Sequence, residues 1–411
     1  MDSKKYQVNK VNAYNGWDPL KQVVLGNCFA PEFFEDVGDH KLRDLMQQIL
    51  YETHEDLDNI QKTLEDLDVE VIRTPPNAIA AVSVENADNI CDMQFDDAPW
   101  SNPQHNPEKK TGTGILGFPS PCMTPRDEFI TLGNKILFTS HRWTEKANTT
   151  YDTIEKGEHN IFNPEYMDMF LQEQWELYQN GKISHGPLKL PTSKDGMSEQ
   201  NKEHHQFMFA APIIHRVGNR LIIDHQDWSN VDEVILERYP EFTGANIAVG
   251  GHTDGSMNLP KPGLVICCPW MGPEDFKDTL PGWDVVRIEN PKYMATGYGD
   301  MESWIKEKHV TNGRWWHPEA KSSPDMVKFV EDWLSTWVGY AEESVFEVNM
   351  LSVNPETILS LNYQPEVHNA LKEHGIEPIY CRFRHRNFWD GGLHCLTLDT
   401  VREGGIQDYF K

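Results

Sequence analysis

The stretch Ile214-His215-Arg216-Val217-Gly218-Asn219-Arg220-Leu221-Ile222-Ile223 reads as a β-hairpin. Two apolar runs flank Gly-Asn, a pair that supplies the positive φ values a tight two-residue turn needs. The pattern returns at Ile130-Thr131-Leu132-Gly133-Asn134-Lys135-Ile136-Leu137-Phe138. Looser versions run from Ser256 to Ile266 and from Phe346 to Leu359. Four hairpins with helical segments between them predict a pseudo-repeated radial α/β architecture, each unit sealing its neighbours' faces. No Pro/Ser-rich linker divides them, so residues 1–411 read as a single domain.

Before the hairpins, Lys21–Gly26 reads as a strand. From Lys41 to Leu67 the positions Leu42, Leu45, Met46, Ile49, Leu50, Leu57, Ile60, Leu64 and Leu67 recur at helical steps. They predict one or two amphipathic helices. Val69–Arg73 follows as a strand stopped by Pro75-Pro76. Residues 96–121, rich in Gly, Pro and Asn, read as a long irregular loop, and residues 144–206 as a partly helical surface insertion.

The chain has 411 residues, with 37 basic and 64 acidic side chains and a formal net charge of −27. That balance argues against nucleic acid or an anionic membrane as partner and is compatible with a cationic substrate. Mean hydropathy is −0.60, and no apolar run approaches a membrane span. The start, Met1-Asp2-Ser3-Lys4-Lys5, leads into no apolar segment of a secretory signal. Seven cysteines without a C-x-x-C pair argue against a disulfide scaffold or zinc site, and a cytoplasmic setting is the expectation.

Chemistry gathers before three strands. Pro125-Arg126-Asp127 precedes the first hairpin, and Gly250-Gly251-His252-Thr253-Asp254-Gly255 precedes the third. Near the end stands Trp389-Asp390-Gly391-Gly392-Leu393-His394-Cys395. In a radial fold these segments converge on the axis. A thiol behind a glycine turn with an imidazole nearby is a nucleophilic pair; the alternative is a Cys395 that merely packs in the core. Asp127 alone would serve as a turn cap. His252 and Asp254 would suit a metal if His204-His205 or His225-Asp227 supplied further ligands. Two carboxylates beside a thiol would repel a developing oxyanion. They suit a planar cation, whose fork of N–H donors matches carboxylates. The residues therefore point to thiol attack on a guanidino carbon.

These segments resemble the amidinotransferase family, typified by glycine amidinotransferase, within the wider guanidino-modifying group. The match covers most of the chain. It includes Gly16-Trp17-Asp18-Pro19-Leu20, Pro125-Arg126-Asp127 with Gly133-Asn134, and Leu188-Lys189-Leu190-Pro191-Thr192. It continues through His252-Thr253-Asp254 with Asn258 and Pro262-Gly263, then Asn349, then Gly391 to Cys395 with Asp399. The resemblance implies a five-bladed α/β propeller (pentein) of ββαβ-type repeats around an active-site channel. It implies cofactor-free transfer of an amidino group from L-arginine to an amine, with release of L-ornithine; a homodimer is a compatible assembly. Carried over, Cys395 is the nucleophile and His252 the acid/base. Asp127 and Asp254 grip the guanidinium, and Arg126, Asn349 and His394 line the substrate.

One departure stands out. The family's histidine-orienting Asp, in a Phe-Asp-Ala-Ala segment, falls here on Phe209 or Ala210. His204, His205, Gln206 and Asp224 are the nearby candidates to replace it. Ala341-Glu342-Glu343-Ser344 lies where relatives often meet the amino-acid end of the substrate. A deiminase-type guanidino hydrolase and a guanidine-binding homologue without turnover are the competing readings; a papain-like protease fits the paired acids poorly.

Overall fold

In a computed structural model of the chain, the described residues are 11–73, 121–138, 211–249, 252–289, 346–389 and 391–410, apart from 36, 38, 122, 225–231, 233–234 and 237–238. The segments 96–120 and 144–206, including Leu188–Thr192, and the acidic run 341–344 lie outside them.

Among the described residues the strands form five small sheets. The first joins β14 (Thr397–Arg402), β1 (Leu20–Leu25) and β2 (Glu70–Arg73). The second is the hairpin β3 (Phe129–Leu132) and β4 (Lys135–Phe138). The third holds β5 (Ile214–Val217), β6 (Arg220–Asp224) and β7 (Thr243–Ile247). The fourth holds β8 (Met257–Lys261), β9 (Leu264–Cys267) and β10 (Asp284–Arg287), and the fifth β11 (Leu351–Asn354), β12 (Thr357–Ser360) and β13 (Glu377–Tyr380). Each three-stranded sheet repeats one plan: a middle strand pairs antiparallel on one side and parallel on the other. The parallel step needs a crossover, and in the first sheet helix α1 (His40–Glu65) supplies it.

The two Gly-Asn hairpins form where the sequence places them. Gly133 and Gly218 adopt φ of 61° and 67°, a left-handed conformation that glycine enters without steric cost. At Gly218 space is also closed, since a Cβ would fall 2.1 Å from the Gln407 carbonyl oxygen. Of the looser hairpins, the one read from Ser256 to Ile266 spans Met257–Cys267, while the one read from Phe346 to Leu359 is shorter, because Phe346–Met350 precedes β11 outside any strand.

Helix α1 is one helix rather than two. Asp39 caps it, its carboxylate accepting from the backbone N–H of Lys41 at 2.9 Å and Leu42 at 3.3 Å. Met46, Ile49, Leu50, Thr53, Leu57, Ile60 and Leu64 form its buried face. They pack with β1 and with Phe388, Trp389, Leu393 and Leu396. The Trp389 indole N–H donates to Thr53 at 2.9 Å, so this helix fixes the turn that leads to Cys395.

The sheets meet at a buried charge cluster. Asp399 on β14 is 0 % exposed and pairs with three buried guanidiniums: Arg126 at 2.7 Å, Arg216 at 2.6 Å and Arg402 at 2.5 Å. Backbone carbonyls take further donors. Arg126 donates to Thr397, Arg216 to Thr131 and Ala13, and Arg402 to Asp18 and Ser352. Burial raises the Asp399 pKa, but the three arginines outweigh it and hold it well below 3.8. Removing one member of such a cluster strands buried charge and costs about 3–5 kcal/mol. The Asp399→Asn variant is therefore expected to lose about that much stability at pH 7 in denaturant titrations; a loss under ~1 kcal/mol would contradict the assignment. Because the folded carboxyl is depressed, its contribution is complete above the unfolded value near pH ~4 and falls away as pH drops below it. The stability difference between wild type and Asp399→Asn should narrow in that acidic range.

Candidate active site

The site is built on backbone turns at strand entrances. Gly392 admits the side chain of Asn349 so closely that a Cβ there would sit 2.5 Å from the Asn349 Cβ and Oδ1. Asn349, 0 % exposed, then organises the nucleophile. Its Oδ1 accepts the backbone N–H of His394 at 2.9 Å and of Cys395 at 3.1 Å. Its Nδ2 donates to the Cys395 Sγ at 3.0 Å and to the Asp254 carbonyl at 3.2 Å. One amide thus ties the thiol strand to the His252–Asp254 turn and uses its full donor and acceptor capacity.

Asp254, buried in the turn Thr253–Gly255, lies against the sulfur. Its Oδ2 is 3.4 Å from the Cys395 Sγ and accepts from His394 Nδ1 at 2.6 Å. The turn is pinned from behind, because the Thr253 hydroxyl donates to the Pro212 carbonyl. Burial raises the Asp254 pKa, but the His394 hydrogen bond and the charges of His394, His252 and His215 outweigh it, leaving the carboxyl well below its usual range. Burial and the neighbouring Arg126 push His394 the other way, toward neutrality. The pair is thus an ionised Asp254 accepting from His394 Nδ1. Its second oxygen, Oδ1, is buried with no hydrogen-bond partner.

His252 caps the same turn and its charge acts on Asp254. Asp127 sits in the one-turn helix Pro125–Glu128, whose Arg126 N–H reaches the Cys395 carbonyl at 3.4 Å. The structure thus brings Cys395, His394, Asn349 and Asp254 into direct contact and sets the Asp127 turn against the thiol's backbone. The Arg126 side chain, 4 % exposed, is engaged with Asp399. Asp224 accepts the Val249 N–H at 2.6 Å and so anchors the backbone three residues ahead of His252. His204, His205, Gln206, Phe209 and Ala210 lie outside the described residues. Among the described residues no group of three His, Cys, Asp or Glu side chains is placed to hold a metal.

His215 is the group the sequence reading passed over as a hairpin residue. Its ring stacks on His394, centroids 6.2 Å apart and tilted 29°. Burial, with the charge of His394, pushes it down to about 3, so it is neutral. It is hydrogen-bonded to the Thr253 backbone, while Nε2 is buried without a partner. A lone histidine between Ile214 and Arg216 was the available signal.

No family model matches the sequence. The chain is 21 % identical over 432 residues to the mitochondrial glycine amidinotransferase of Xenopus laevis, covering 98 % of this chain and 85 % of that one. It is 22 % identical over 426 residues to a putative inosamine-phosphate amidinotransferase of Streptomyces griseus, covering 97 % and 99 %. The chain resembles amidinotransferases along its whole length. Two solved amidinotransferases share its fold. One, from Microseira wollei in the saxitoxin biosynthetic pathway, has TM-score 0.55 at 18 % identity and covers 97 % of this chain. The inosamine-phosphate amidinotransferase of Streptomyces griseus has TM-score 0.52 at 18 % identity and the same coverage. The α/β architecture expected from the sequence is therefore that of the amidinotransferases. Among the described residues no helix is long and apolar enough to cross a membrane.

The two contacts on sulfur act in opposite directions. A donor stabilises a thiolate, whereas an adjacent carboxylate opposes it. Alkylation of Cys395 by iodoacetamide at pH 7 should slow in Asn349→Ala and quicken in Asp254→Asn, each by about 3- to 10-fold. Equal rates in all three proteins would show that neither group controls the sulfur.

Proposed function

We propose that the protein is an L-arginine:amine amidinotransferase working through a covalent amidino-cysteine. The observation that carries the proposal is the buried Asp254 carboxylate. One oxygen is held by His394 beside the Cys395 sulfur, and the other has no partner. A buried anion with an open acceptor beside a nucleophile calls for a cationic substrate, and a guanidinium supplies N–H donors in the matching geometry. Asp127, across the thiol's backbone, is the proposed second carboxylate of the clamp. The repeated sheet plan supports a five-bladed propeller with these turns at its centre.

In the proposed reaction the Cys395 thiolate attacks the guanidinium carbon, forming a C–S bond. The bond from that carbon to the side-chain nitrogen breaks, and His252 protonates the departing amine, so that ornithine leaves. The acceptor amine gives its proton to the same imidazole and attacks the adduct. The C–S bond then breaks and the thiolate returns. Asn349 and His394 hold the sulfur and the carboxylate in register as positioning residues. Water attacking the same adduct would release urea, whereas a deiminase-type course, in which ammonia leaves first and the bond to the side-chain nitrogen is kept, would release citrulline, so the products separate transferase from hydrolase.

Intact-mass analysis after incubation with L-arginine should show one added amidino group on Cys395 and an equivalent of ornithine in solution, both lost in Cys395→Ser. Asp254→Asn should form the adduct about 10²- to 10³-fold more slowly, the scale for losing one preorganised electrostatic contact. A folded wild-type protein that gains no mass, or that releases citrulline, would refute the proposed transfer.

A further inference from the structure

A second cavity opens where β12 and β13 end. It measures about 370 Å³ and is lined by Asn362, Tyr380, Arg382, Phe383, Arg384 and Arg386, among others, with no carboxylate among the described residues of its wall. Its three arginines are not equivalent. Arg384 is saturated from helix α1, bonding Asp56 at 2.9 Å and Glu55 at 2.8 Å. Those acids, with Glu52 on His385 at 2.7 Å, are thereby turned to partners behind the cavity. Among the described residues Arg386 has no acidic partner. Its Nε is buried with no hydrogen-bond partner, Nη1 reaches the Phe383 carbonyl at a long 3.4 Å, and its guanidinium stands 5.8 Å from the Phe346 ring. The exposed Arg382 is in no ion pair among the described residues. Asn362 adds a second buried donor without a partner, Nδ2.

Unpartnered cationic donors facing one cavity are out of place in a chain of net charge −27, where carboxylates are in excess. A buried guanidinium N–H left without an acceptor is unfavourable, and an oxyanion accepts from several such donors at once. The rim also presents an organic surface. Tyr380 is 41 % exposed, packs edge-on against Tyr363 with centroids 5.9 Å apart, and is fixed by a 2.8 Å hydrogen bond to His368.

We propose that this cavity binds the oxyanion of a small molecule, a phosphate or carboxylate held by Arg386, Arg382 and the Asn362 amide. The site does not depend on amidino transfer, and its failure would leave that reaction untouched.

The test is calorimetric titration of the full-length protein with inorganic phosphate, phenyl phosphate and acetate, backed by the NMR signal of the Arg386 Nε–H. Saturable binding of at least one anion is expected, with a shift of that signal and a loss of affinity of at least about tenfold in Arg386→Gln. The Arg43→Gln variant, with its change on helix α1, should bind like wild type. Arg382→Gln, altered at an exposed side chain, carries the same expectation if Arg386→Gln does not fold. Phenyl phosphate binding more tightly than phosphate would mark an organic anion resting on Tyr380; equal affinity would mark the free ion; acetate binding best would mark a carboxylate. No saturable binding of any of the three, or binding unchanged in the folded arginine variants, would overturn the proposal.

Discussion

Asp399 sits beneath everything else. A single carboxylate on β14 faces three guanidiniums drawn from the helix before β3, from β5 and from its own strand. The Arg402 guanidinium also reaches the Ser352 carbonyl on β11. Taking several charges out of water is unfavourable unless donors find acceptors, and beside Asp399 the carbonyls of Ala13, Asp18, Thr131, Ser352 and Thr397 accept from the three arginines. Directional bonds of this kind tolerate little sliding. They set the register between sheets that apolar packing alone would leave loosely specified.

The site inherits that precision. Cys395 lies four residues before Asp399, and Arg126 touches both neighbourhoods, donating through its side chain to Thr397 and through its backbone to the Cys395 carbonyl. Asp127 follows Arg126 directly, so the cluster that joins the sheets also holds the Asp127 turn against the backbone of the thiol. On the other side Asn349 performs the same service with neutral groups. Its single amide fixes two backbone N–H groups, the sulfur and the Asp254 carbonyl. The Asp254 Oδ1 is left without a hydrogen-bond partner, which is the property a site for a cation needs.

How much of this was legible in the sequence follows from how local each signal is. The Gly-Asn hairpins could be read because positive φ at Gly133 and Gly218 is a property of two residues. Helix α1 could be read from its apolar period. Of the parallel third strands only β2 was read, at Val69–Arg73. Thr243–Ile247 contains a glycine and is largely exposed, Glu377–Tyr380 contains Pro378, and neither alternates cleanly. Their pairing comes from a crossover, which leaves no local mark. Asp254 and Cys395 stood out because their residue types are chemically unusual beside glycine turns. Arg216 and His215 did not, since one charged and one titratable residue in a short hairpin strand look ordinary until partners 183 and 179 positions away are placed beside them. Asn349 was noted as a motif residue, but its fourfold bonding is purely tertiary.

The buried Asp254 carboxylate beside the Cys395 sulfur selects for positive charge on a flat carbon centre in the proposed reaction. The most direct measurement is calorimetric binding of L-arginine and of its neutral isostere L-citrulline to the Cys395→Ser protein, in which no covalent step intervenes. Arginine is expected to bind more tightly by at least about tenfold, the value of one charge-assisted contact to a buried carboxylate, and Asp254→Asn to erase the difference. Equal affinity for the two ligands, or tighter binding of citrulline, would contradict it.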